Sequence, residues 1–152
     1  PAVAFIGRFL PNLTVQGYGI ASYAHSLLKQ FKGEWEYDTN WKMINGHPKK
    51  AGWIKAIQEG QRKVRKGLHL DCPVLVMSSD KSYPETKEWH NEYLSSDIVL
   101  DVHDIQKYAP KLGEYVTRDT IPNGIHDLIL SEKESRDHTY RTVFDWMNRK
   151  GF

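Results

Sequence analysis

A continuous apolar run, Cys72 to Met77, restricts the fold of this chain more than any other stretch. It is too short for an ordinary helix and does not alternate as a half-buried strand would. Pro73 and Ser78 bound it. Such a run reads as a strand covered on both faces, the habit of parallel sheets. A parallel neighbour needs a crossover, and the chain supplies one. Val102, Ile105, Ala109 and Leu112 fall on one helical face after Asp101, Gly113 stops the helix, and a second strand-like run covers Tyr115 to Ile121. A last helix is predicted over Glu134 to Met147, with Tyr140, Val143, Phe144 and Met147 as its inward stripe. The class is therefore α/β. Two strands cannot bury both sides of the helices that must cover them, so this part reads as the end of a larger sheet. An open edge of that kind invites pairing with another part of the protein or with a second copy.

Upstream the pattern is helical. Residues 1 to 16 suggest a short helix or irregular segment broken by Gly7 and Pro11. A helix is predicted from Gly19 to Gly33 with Ile20, Tyr23, Ala24, Leu27, Leu28 and Phe31 at helical spacing. A further amphipathic helix is predicted over Lys49 to Lys66, with Trp53, Ile54, Ile57 and Val64 inward and Gly67 as its stop. Ser78 to Ser96 reads as a long polar and aromatic loop, a type that is usually functional or flexible. The chain opens on Pro1 without a methionine, which suggests processing or a cut boundary.

At 152 residues the chain fits one domain, and a net charge of +2 is too small to argue for nucleic acid. The basic run Arg62 to Lys66 reads as the solvated end of a helix. A single cysteine, Cys72, forms no internal disulfide and is expected to be buried at its strand's entrance, which favours a reducing, cytoplasmic setting. No stretch is long and apolar enough to span a bilayer, and no signal peptide is evident.

His126 is the histidine placed for chemistry. It lies between the second strand and the last helix, outside the carboxyl end of the sheet, in the turn-rich stretch Asn123 to Asp127. A general base there needs an orienting carboxylate from a neighbouring loop. Asp97 is the first choice because the apolar residues after it can pin it inward; Asp101 and Asp80 are the alternatives. Asp101 also fits a helix cap, and Asp80 follows the first strand most closely. No Gly-x-Ser-x-Gly elbow is present, Ser78 and Ser79 lack flanking glycines, and the seven histidines show no metal-ligand spacing. No glycine-rich phosphate loop follows either strand, so no cofactor is implied.

Taken together, Pro73 to Met77, Ser96 to Asp101 and Gly124 to Leu128, followed by the closing helix with Phe144 to Trp146, resemble the C-terminal half of an α/β-hydrolase. The resemblance is to the lysophospholipase and monoglyceride-lipase-like branch, also labelled serine aminopeptidase-like. It implies that Asp97 and His126 are the catalytic acid and base. It also implies that residues 69–152 belong to the hydrolase core and residues 1–68 to its helical cap, with Trp35, Tyr37, Trp41 and Trp53 as candidates for lining a substrate pocket. The serine and oxyanion hole of that family lie in an N-terminal half that this sequence does not match. The expectation is a fragment of a serine ester hydrolase, inactive alone, acting in its parent on an ester or lipid-like substrate. The rival is a non-catalytic α/β module that binds a ligand or partner chain.

Overall fold

The computed structural model describes residues 2–151; Pro1, the unusual start, lies outside them. The elements in chain order are α1 (Ala2–Phe9), β1 (Thr14–Gln16), α2 (Ser22–Leu27), β2 (Lys49–Lys50), α3 (Ala51–Lys66), β3 (Val74–Ser79), α4 (Val102–Tyr108), β4 (Val116–Ile121) and α5 (Lys133–Lys150). Short 3₁₀ turns cover Asn91–Leu94, Ala109–Lys111 and Leu128–Leu130. β3 and β4 pair in parallel, Val74 opposite Val116 through to Ser79 opposite Ile121. α4 makes the crossover, so the chain is a mixture of helix and strand around a small parallel sheet.

Several elements differ from the reading of the sequence, each for a local reason. The helix expected over residues 19 to 33 is only α2. After Leu27 the backbone turns back on itself, with Lys29 N–H donating to the Trp35 carbonyl and Trp35 N–H to that of Leu27. Gly33 closes this turn, where a Cβ would stand 2.1 Å from the Leu27 carbonyl carbon and oxygen. Ile20 and Phe31 are consequently exposed. β1 and β2 form an antiparallel pair that went unrecognised, because two or three residues show no period.

β3 begins at Val74, since Pro73 has no N–H to give a ladder; Cys72 stands before the strand and is exposed, against the expectation of burial. Val74 to Met77 are half-buried, and only Ser78 and Ser79 at the strand's end are fully covered. Two strands with these helices cover one another incompletely. On α5 the buried residues are Ser135 and Thr139, while Tyr140 and Phe144 stack on each other in solvent. Trp53 and Ile57 of α3 are likewise exposed, in contrast to the inward face predicted for them.

The largest fully covered side chains are Leu27 of α2, Ser79 and Ile121 at the ends of β3 and β4, Thr139 of α5, and Tyr93, Ser96 and Ser131 in the segments that follow the two strands. Among the described residues no helix is long and apolar enough to cross a membrane.

Candidate active site

The stretch after β3 leaves the sheet and returns to it. Asp97 N–H donates to the Lys81 carbonyl, and Tyr83 N–H donates to the carbonyl of Asp97, so the two ends of the excursion pair like strands. Inside it Tyr93 is fully buried. Its hydroxyl accepts from Thr86 N–H at 2.9 Å and donates to the Glu88 carbonyl at 3.2 Å. The long loop is thus a built structure, and Asp97, far along the chain from Ser79, sits beside the end of β3.

Asp97 is 2% exposed. Its Oδ1 accepts from Val99 N–H and Leu100 N–H, both at 2.8 Å, and its Oδ2 lies 3.0 Å from His126 Nδ1. A carboxylate partner assigns the proton to Nδ1 and leaves Nε2 as the ring's basic nitrogen. No hydrogen bond engages Nε2 among the described residues. Burial pushes the Asp97 carboxyl up, but the His126 hydrogen bond and the two backbone N–H groups outweigh it and hold the group below the usual carboxylate range. The same hydrogen bond raises the His126 imidazole above its ordinary value, against the opposing effect of burial.

The His126 loop is fixed from several sides. Ile125 N–H donates to Ser131 Oγ at 3.0 Å, and Asn123, with a φ of 55°, donates its N–H to Asp80 Oδ1 at 2.9 Å. Lys81 Nζ reaches Asn123 Oδ1 at 3.0 Å. Asp80 therefore shapes the turn before the histidine, and Asp101 caps α4 by accepting from His103 N–H at 2.9 Å. Neither alternative acid is hydrogen-bonded to His126.

Three residues beside His126 escaped the sequence reading as site components. Tyr23 Oη donates to Asp127 Oδ2 at 2.7 Å and accepts from Asp127 N–H at 3.1 Å. The Tyr23 and His126 rings meet edge to face, with centroids 5.9 Å apart. Lys42 Nζ lies 3.1 Å from the same Asp127 oxygen and 5.1 Å from the centre of the Tyr23 ring. Burial, then Asp127, push the Tyr23 phenol well above its ordinary value. The Asp127 carboxyl is raised by burial but lowered on balance by Tyr23 and Lys42. Adjacency to His126 was the one signal for Asp127; nothing local marks Tyr23 or Lys42.

The four aromatic pocket candidates do not gather. Trp35 donates its Nε1–H to the Leu130 carbonyl at 2.7 Å, under the Arg136 guanidinium, and shares the wall of a cleft with Tyr37. Trp41 is 85% exposed and Trp53 53% exposed, and neither lines that cleft. A second cavity of about 320 Å³ lies behind the histidine loop, between Ser26, Trp35, Leu94, Ile125 and Leu130. Among the described residues no group of three or more histidine, cysteine or acidic side chains is arranged to hold a metal ion.

The pair at the sheet's end has the arrangement that a general base with an orienting acid requires. Nδ1–H is fixed, Nε2 is left free, and the acid is buried and held through its second oxygen. Comparison with protein-family models, curated proteins and solved structures finds no match to this chain.

Proposed function

We propose that this chain supplies the acid–base half of a serine carboxylic-ester hydrolase of the lysophospholipase-like α/β-hydrolase type. The observation that carries the reading is the 3.0 Å contact from His126 Nδ1 to a buried Asp97 whose other oxygen is tied to two backbone N–H groups. Held this way, the imidazole keeps Nε2 free to take up a proton.

In the proposed reaction a serine Oγ attacks the ester carbonyl carbon as His126 Nε2 removes its proton. The imidazolium, stabilised by Asp97, gives that proton to the departing alcohol oxygen as the carbon–oxygen bond breaks. Water, deprotonated by the same nitrogen, then attacks the acyl carbon; the bond to the serine Oγ breaks, His126 returns the proton to that oxygen, and the carboxylic acid is released. The reading assigns the serine to a part of the protein outside this sequence, because among the described residues no serine hydrogen-bonds His126. Ser78 Oγ donates to the Ser79 carbonyl, and Ser79 Oγ to that of Lys81.

The test is a serine-directed fluorophosphonate probe applied to the source protein, with intact mass before and after. One adduct on a serine outside this sequence, lost on His126→Ala, is the expected result, and the 152-residue chain by itself should not label. A source protein that never labels would leave the pair as structure. A non-catalytic binding module would then be the better account, which the half-exposed apolar residues of β3 favour.

A further inference from the structure

We infer that Tyr23 is a positioning residue for His126, gripping the histidine loop through Asp127 while its ring bears on the imidazole; this rests on the hydrolase reading above. Asp97 provides one hydrogen bond to the ring, and Asp80, Lys81 and Ser131 hold the loop at Asn123 and Ile125, ahead of the histidine. Tyr23 holds the residue that follows it. Its hydroxyl is used twice on the next residue, donating to Asp127 Oδ2 at 2.7 Å and accepting from Asp127 N–H at 3.1 Å. The edge-to-face contact, with the rings inclined at 77°, closes off one side of the imidazole.

The arrangement also gives a neighbouring carboxylate other partners. Tyr23 and Lys42 both engage Asp127 Oδ2, from 2.7 and 3.1 Å. The titratable and charged groups that face His126 are thus Asp97, Asp127, Lys42 and Tyr23. Of the two carboxylates, Asp97 is the one hydrogen-bonded to Nδ1. Phenylalanine at position 23 would keep the ring contact and lose both hydrogen bonds, which makes Tyr23→Phe the informative variant.

The experiment is nitrogen-15 NMR of the full chain labelled at histidine, read at a pH where His126 is protonated. The Nδ1 proton held by Asp97 should exchange slowly with water. In Tyr23→Phe its exchange is expected to be about tenfold faster, the factor that losing hydrogen bonds of this kind supports. Asp127→Asn, which retains the backbone bond, should fall between. Val64→Ala on α3 should lower the melting temperature and leave the Nδ1 proton unchanged, separating positioning from general loss of stability. An Nδ1 proton in Tyr23→Phe that exchanges as in the unmodified chain overturns the inference. Failure of the hydrolase reading shows elsewhere, as fluorophosphonate labelling of the source protein that His126→Ala does not diminish.

Discussion

Asp97 divides its two oxygens between backbone and imidazole, and that division sets how the pair responds to substitution and to pH. Replacing it with asparagine keeps an acceptor for Val99 and Leu100 but offers the imidazole a neutral partner. In a preparation that turns over ester, Asp97→Asn should lower kcat by roughly 10³- to 10⁴-fold with the fold retained, read by steady-state rates beside circular dichroism. The pair also links stability to pH. His126 binds its proton more tightly folded than unfolded, so its contribution is complete below about pH 6.5 and is lost as pH rises through the folded value. Asp97 binds its proton less tightly folded, so its contribution is complete above about pH 4 and is lost as pH falls through the folded value. Urea unfolding of the unmodified chain and of His126→Gln should therefore differ most near pH 5. The gap should narrow in both directions; one that widens toward pH 9 would contradict the ion pair. At this scale the sequence was informative about His126 and Asp97, because a turn after a strand and an apolar run after an acid are local signals. Tyr23 was not legible as a site residue, since its partner lies 104 residues away and helical periodicity gave its ring a core role instead.

At the scale of elements, the parallel pair β3 and β4 was legible for a physical reason. β3 follows from the apolar run Cys72 to Met77, bounded by turn residues; β4 carries Arg118 and Asp119 inside it and is marked by the turn residues Pro122 to Gly124 that end it, and the segment between the two has helical period. Burial was harder to read. The stripes assigned to α3 and α5 left Trp53, Ile57, Tyr140 and Phe144 exposed, because periodicity shows that a face is apolar without showing what lies against it. Close backbone approaches were equally hidden. At Gly113, which bridges to Leu70, a Cβ would lie 2.3 Å from the Leu70 oxygen. Gly113→Ala should push that bridge apart at a cost of about 1–3 kcal/mol by chemical denaturation. Leu27→Ala, which empties a fully covered site on α2, should cost about 2–5 kcal/mol. If instead Leu27→Ala leaves the unfolding midpoint in place, α2 contributes little to the core.

For the whole molecule the deciding feature is a two-stranded sheet whose first strand is apolar and half-covered. Unpaired strand edges seek partners. Sedimentation should show weight-average mass rising with concentration, and Val76→Lys on β3 should suppress the rise; a concentration-independent monomer would speak against an adhesive edge. The contacts around His126 have a different reach. Tyr23 and Lys42 meet Asp127 across 104 and 85 residues, so the histidine's surroundings close loops far longer than the crossover that joins β3 to β4. Loop closure grows costlier with length, and distant pairings form late. During refolding the β3 and β4 amides should accordingly gain protection from exchange before Tyr23 and Lys42 reach Asp127. A nascent chain would pass through its early compact states with the histidine loop still ungripped on this side, until its first and last thirds have found each other.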